Sequence, residues 1–217
     1  MDAYVIHYTP LKERKEHITN ELKREGLSSI FVEDYDREVL TASDTEKFDI
    51  SSVNLGKVSL ILKHIEAWRQ IVSSAQPYGL IFEDDAVLCS DFLPKLRNYI
   101  EELPADFDVL MINSGCDLHI PEEMLIEGIH VYLRGLSCTP WGGFGGTRCT
   151  DAYLISKECA RKFLEIYDSL EAASINIALD WWMNDLMRKI GARVFWAEPS
   201  LVSQGTEIGL FKTSLSS

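Results

Sequence analysis

The chain has no apolar run long enough to cross a membrane, no Cys-x-x-Cys pair and no internal repeat or low-complexity block. These absences exclude a helical membrane protein, a zinc ribbon and a solenoid. Neither a phosphate-binding Gly-x-x-x-x-Gly-Lys-Ser/Thr loop nor a Gly-x-Ser-x-Gly elbow occurs, so P-loop nucleotide hydrolysis and serine-type hydrolysis have no support. Basic residues are also scarce. The 21 Lys and Arg stand against 34 Asp and Glu, and the net charge of −13 argues against nucleic acid or an anionic membrane as the main partner. The N-terminal Met1-Asp2-Ala3-Tyr4-Val5-Ile6-His7 starts acidic and runs straight into strand-like sequence. It lacks the basic start and long apolar stretch of a secretion signal, and a cytoplasmic location is expected. The five cysteines are odd in number, so no disulfide framework follows from them. A Cys138–Cys149 bridge would need an oxidising compartment.

What is present fits one α/β domain over all 217 residues, with 46% hydrophobic and 25% charged residues. Ala3 to His7 reads as a strand. Thr9-Pro10 reads as the cap and first position of a helix that ends at Gly26, and Ser29 to Glu33 as a second strand. Strand, helix, strand is the opening of a mostly parallel sheet. Asp34 to Ser52 is polar and aperiodic and is predicted to be a long, mobile loop. Leu55 to Ser73 carries apolar residues at helical spacing, with His64 a packed, hydrogen-bonded member of that helix. Helices are also predicted from Ser90-Asp91 to about Leu103, after the cap Ser156, and over Asp180 to Ile190. Strands are predicted at Phe107 to Ile112, Ile129 to Leu133, Ala152 to Ile155 and Arg193 to Trp196.

The most informative stretch is Tyr78 to Leu88, where a buried-strand pattern ends abruptly in Glu83-Asp84-Asp85. Three adjacent like charges resist burial, and a divalent cation is their commonest counter-charge. In extended chain Glu83 and Asp85 share a side while Asp84 faces the other. That suits an oxygen-ligated Mn²⁺ or Mg²⁺ gripping phosphates at the carboxyl end of a strand. Trp141 to Thr147 is a glycine-rich loop, either a plain turn or a mobile loop whose Trp141 supports a sugar ring. Asp180 and Asp185 lie about 140° apart on a helix and cannot face one ligand. Asp180 is either a helix cap or an acid at the sheet's rim able to take a proton from a hydroxyl.

With these residues in place, the chain resembles glycosyltransferase family 25, the lipopolysaccharide-type and collagen galactosyltransferases. The likeness runs in order through Ile6-His7-Tyr8 with Arg14 eight residues after Ile6, Gly56 followed by Lys63-His64, Glu83-Asp84-Asp85, Asp108-Val109-Leu110, Tyr153-Leu154-Ile155-Ser156 with Ala160, Asp180, and Pro199-Ser200-Leu201-Val202-Ser203-Gln204. His7-Tyr8 stands where the family has Asn-Leu, and Lys63 where it has Ser. The resemblance implies a GT-A-type fold, a nucleotide-sugar donor such as a UDP-sugar, Mn²⁺ (or Mg²⁺), and inverting transfer of a hexose to a hydroxyl of a glycan or glycosylated protein. It gathers Ile6, His7, Tyr8, Arg14, His64, Glu83, Asp84 and Asp85 around donor and cofactor. Asp85 would touch the metal, Glu83 the metal or the ribose, and Asp84 would anchor the turn. Asp180 would be the general base, with Asp185 and Asp151 next in line. Two rivals stand beside this reading. One is a haloacid-dehalogenase-type phosphatase, whose motif would need Asp at Glu83. The other is an inactive nucleotide- or carbohydrate-binding module of the same fold.

Overall fold

The computed structural model describes residues 2–135 and 147–214. A seven-stranded sheet has the order β2 (Ser28–Val32), β1 (Asp2–Ile6), β3 (Tyr78–Glu83), β7 (Ala152–Ser156), β5 (Val109–Met111), β8 (Val194–Ala197), β6 (Val131–Arg134). Five strands run one way; β7 and β6 run against their neighbours. A separate two-stranded sheet pairs β4 (Ala86–Leu88) antiparallel with β9 (Val202–Gln204).

The strands read as near-continuous apolar runs because both faces are covered. Tyr4, Ile6, Ile81, Tyr153 and Trp196 face a core closed by α3 (Leu55–Ser73), α5 (Lys157–Asp168) and α6 (Leu179–Ile190). Their alternates Ala3, Val5, Leu80, Phe82, Leu154 and Phe195 face a second core under α1 (Lys12–Arg24) and α4 (Phe92–Glu102). Successive residues of one strand thus feed opposite cores, as the two-residue strand period requires. The single α/β domain with helices on both faces matches the sequence expectation.

Several local expectations need correction. Helix α1 begins at Lys12 behind Leu11, which makes no side-chain cap. Thr9 instead turns its hydroxyl and N–H to Asp36, so the Thr9-Pro10 signal serves a loop contact rather than a cap. Gly26 does end the helix, at φ +69°, with Leu27 N–H bonded to Leu22 C=O at 2.9 Å. The stretch 34–52 is not structureless. It holds the short helix α2 (Ala42–Thr45), closed by a Thr41–Asp44 capping box, and the buried Phe48, which bridges to Ile175. Lys63 explains part of that order. Its ammonium, 2% exposed, donates to Glu33 C=O at 3.0 Å and Asp34 C=O at 2.6 Å, and pairs with Asp36 at 2.8 Å. Asp180 is not the α6 cap, a position taken by Ala178. Strands β4 and β9 were not expected, being too short to show a period. The glycine loop from Trp141 to Gly146, and Cys138, lie outside the described residues.

Where β3 crosses α3 the backbone comes too close for a side chain. A Cβ on Gly79 would sit 2.3 Å from Ile71 Cδ1, and Ile71 is fully buried. Gly79→Ala should cost about 1–3 kcal/mol, the usual range for overpacking. The double variant Gly79→Ala/Ile71→Ala should lose less than the sum of its singles in urea unfolding. Additive losses would place the strain elsewhere.

Candidate active site

From β1 the chain moves outward to β2 through α1 on one face, and β3 lies on the other side of β1, reached through α3 on the opposite face. The carboxyl ends of β1 and β3 therefore flank a topological switch point, where open α/β sheets leave a crevice. His7 and Tyr8 follow β1 there, and Glu83, Asp84 and Asp85 end β3. Because β7 runs antiparallel, its first turn brings Thr150 and Asp151 to the same rim, and Glu83 N–H bonds Asp151 C=O at 2.8 Å.

The three acids have different surroundings. Asp84, 5% exposed, is saturated: it accepts from His7 Nδ1 at 2.8 Å, Tyr8 N–H at 3.3 Å and Arg14 at 3.0 Å. It ties β1, α1 and β3 together, which suits the anchoring role expected for it. His7 is fully buried beneath the rim. Asp85, 2% exposed, receives the Thr206 hydroxyl and, at 3.3 Å, the Thr206 N–H on one oxygen, with Arg14 at 3.6 Å. Its other oxygen, Oδ1, has no hydrogen-bond partner among the described residues. Burial, then the charge on Glu83, push the Asp85 carboxyl up to about 6.

Glu83 accepts from the Thr150 hydroxyl at 2.9 Å and lies 3.6 Å from His64 Nε2. A buried hydrogen-bonded chain holds that histidine from behind. Trp68 Nε1–H can only donate, and it donates to the Tyr153 hydroxyl oxygen at 3.0 Å. The Tyr153 hydroxyl also meets His64 Nδ1 at 2.8 Å, and His64 Nε2, on the Glu83 side, has no hydrogen-bond partner among the described residues. Trp68, Tyr153 and His64 are all fully buried. His64 is thus both the packed residue its helix position implied and a neighbour of the acidic rim.

Sequence reasoning named Asp151 only as a reserve. It is fully buried, is held by Asn113, and keeps Oδ2 without a partner among the described residues. Burial and then the Glu83 charge hold its carboxyl well above the ordinary range, favouring the protonated form. An isolated Asp before a strand carries no such signal; only the antiparallel insertion of β7 brings it here. Asp180 is half-buried on the first turn of α6, and its carboxyl is raised by burial, with Glu83 adding to the shift and the Trp181 N–H opposing it. Asp185, exposed, pairs with Arg188 at 3.1 Å.

A cavity of about 80 Å³ opens on this rim, lined by Ile6, Tyr8, Arg14 and all three acids. His64 and Asp180 do not line it. The C-terminal segment narrows it: Arg14 donates to Thr206 at 3.2 Å and to Lys212 C=O at 2.5 Å, and Arg37, stacked on Tyr8, reaches Ser214 C=O at 3.1 Å. Among the described residues, the acids of the rim bring no three ligand atoms within 4.8 Å of one another. No helix among them is long and apolar enough to cross a membrane.

The fold and site define an α/β domain with an acidic crevice at the β1/β3 switch point. Residues 1–183 match the family described as glycosyltransferase family 25 (LPS biosynthesis protein), and the chain belongs to that family. It is 24% identical over 179 residues to the Bos taurus protein named probable inactive glycosyltransferase 25 family member 3, covering 75% of this chain and 28% of that one. It is 28% identical over 149 residues to the lacto-N-neotetraose biosynthesis glycosyltransferase LgtE of Neisseria meningitidis serogroup B, covering 66% of this chain and 50% of LgtE. The chain thus spans half or less of the length of these relatives. Among solved structures, the inositol-1-phosphate CTP transferase of T. maritima aligns at a TM-score of 0.45 and 13% identity, over 94% of this chain and 70% of that one.

The raised Asp85 carboxyl has a definite sign. With a folded value about 6 against roughly 3.9 unfolded, its contribution to stability is complete below about pH 4 and is lost as pH rises through 6. Asp85→Asn keeps an acceptor for Thr206 and cannot ionise. Without added metal, the wild type should therefore lose stability relative to Asp85→Asn between pH 4.5 and 7.5 in urea unfolding. A difference that stays constant across that window would contradict the assignment.

Proposed function

We propose that this chain is the donor-binding and catalytic domain of a metal-dependent, inverting glycosyltransferase of GT-A type. It would move a hexose from a nucleotide-sugar, a UDP-sugar, to a hydroxyl of a glycan or glycosylated protein. One observation carries the reading: Asp85 is buried beside Glu83 with an unpartnered oxygen, on the crevice where α/β sheets take phosphates. A buried carboxylate oxygen without a donor, beside a second carboxylate, suits a hard, oxygen-seeking cation, and Mn²⁺ or Mg²⁺ fits that donor set. When bound, the metal would supply the Lewis acidity that neutralises a departing diphosphate.

The chain's own residues supply the rest. Arg14 adds positive charge beside the acids, and Tyr8 with Arg37 makes an aromatic, cationic wall for the nucleotide. Inversion needs one base and no protein nucleophile. Asp180 suits that role: burial, with Glu83 adding, raises its carboxyl from the ordinary value, which makes it a better proton acceptor. The cavity of about 80 Å³ is smaller than the roughly 300 Å³ or more of ligand pockets. Donor entry would therefore displace Lys212 and Ser214 from Arg14 and Arg37.

The name of the bovine relative, probable inactive, favours a second reading: a binding module that holds donor without transfer. Release of UDP from a panel of UDP-sugars with Mn²⁺ separates the two. Transferase activity predicts metal-dependent release with at least one donor, and Asp180→Asn should lower that rate roughly 10²–10⁴-fold with donor affinity unchanged. Stability should hold, because Asn keeps the acceptor for the Trp181 N–H. No release from any donor would support the binding module. Full activity in Asp180→Asn would pass the base role to another acid.

A further inference from the structure

A second polar cluster lies on the next stretch of the rim, built from three side chains that the proposed transfer chemistry does not use. Cys116 follows β5, Cys149 precedes β7, and Glu207 belongs to the segment after β9. The Sγ atoms of Cys116 and Cys149 are 3.3 Å apart, and one ligand atom from each of the three residues falls within 4.8 Å of the others. No other group of three His, Cys, Asp or Glu side chains among the described residues meets that criterion. Glu207 is held there by the Cys116 N–H at 2.8 Å.

The backbone is shaped to make this meeting. Cys116 adopts φ +61°, unusual for a residue with a side chain. Gly115 packs so tightly that a Cβ on it would lie 2.4 Å from the Cys149 nitrogen. Asn113, buried in the same turn, donates to Cys149 C=O at 2.7 Å. Both cysteines are free thiols. Their 3.3 Å separation is far from the ~2.05 Å of a covalent bridge. It lies within about half an ångström of the spacing that two ~2.3 Å metal–sulfur bonds impose at a tetrahedral angle. Cys116 and Glu207 also line a cavity of about 570 Å³ that gives solvent and ions access.

We propose that Cys116, Cys149 and Glu207 bind a thiophilic divalent cation, Zn²⁺, at a site separate from the Glu83–Asp85 pair. Two sulfur donors and one carboxylate select a borderline-soft ion over Mn²⁺ or Mg²⁺, and three protein ligands leave the fourth position to water. Binding converts two S–H groups to thiolates and releases two protons to solvent; no electron transfer is involved. The bound ion would pin together three segments that serve the acidic rim. Thr150, next to Cys149, bonds Glu83; Thr206, next to Glu207, bonds Asp85; and Asn113, before Cys116, holds Asp151. The site would stiffen the rim from behind, and it stands whether or not the chain transfers sugar.

The test uses the whole chain, freed of metal and kept reduced, with Co²⁺ as the spectroscopic probe. One equivalent should produce a thiolate-to-Co²⁺ charge-transfer band and the visible bands of a tetrahedral ion. One equivalent of Zn²⁺ should bleach both, and excess Mn²⁺ should not. Cys116→Ser, at an exposed position, should abolish the bands, as should Cys149→Ser, while Cys89→Ser keeps them. Zn²⁺ should also raise the unfolding temperature of the wild type and not of Cys116→Ser. Absence of the charge-transfer band in reduced wild type, or its survival in folded Cys116→Ser, would overturn the site. So would mass spectrometry finding the two thiols joined in protein that binds no metal after reduction.

Discussion

Three consecutive carboxylates at the end of a buried strand are the constraint on which this structure turns. Chain connectivity puts Glu83, Asp84 and Asp85 side by side, and burial of β3 leaves water little room to screen them. The surrounding chain is arranged around that repulsion. Arg14 sits between Asp84 and Asp85, which gives the otherwise highly charged α1 a buried charged residue facing the rim. The pairing of β4 with β9 brings Gly205 N–H to Asp85 C=O at 2.7 Å and carries Thr206 onto the Asp85 carboxylate. The returning C-terminal segment is held by that acid together with Arg14 and Arg37.

The three carboxylates accordingly divide their work. Asp84 is spent on structure, with every direction satisfied by His7, Tyr8 and Arg14. Glu83 accepts from Thr150 and lies 3.6 Å from His64, which Tyr153 and Trp68 hold in the core. Asp85 is only half satisfied, so folding leaves an acceptor that a cation would complete. Partial satisfaction of a buried charge is destabilising and persists where binding offsets it, a reason to read function into Asp85 rather than Asp84.

Much of this was legible in the residues. The long α3, the strand ending in acids, the Ser156 cap and the family likeness all rest on strong local signals: a sustained helical period, an abrupt apolar-to-acidic boundary, a hydroxyl cap. The alternation of Tyr4 and Ile6 against Ala3 and Val5 carries little polarity contrast, so the two cores became visible only with the helices in place. What sequence could not give are the consequences of β7 inserting antiparallel between β3 and β5. That single topological choice brings Asp151 and Thr150 to the rim and Cys149 to Cys116, 33 positions away. The Thr9-Pro10 signal misled for a related reason: the Thr9 hydroxyl had a tertiary partner, Asp36, and tertiary contacts override a local preference.

The central claim is that the β3 acids hold a divalent cation through which the crevice binds a nucleoside diphosphate. Titration calorimetry of UDP into the protein tests it directly, run with Mn²⁺, with chelator, and with Asp85→Ala. The account predicts binding that needs Mn²⁺ and a variant that stays folded yet loses the metal dependence. Equal UDP affinity with Mn²⁺ and with chelator would contradict it.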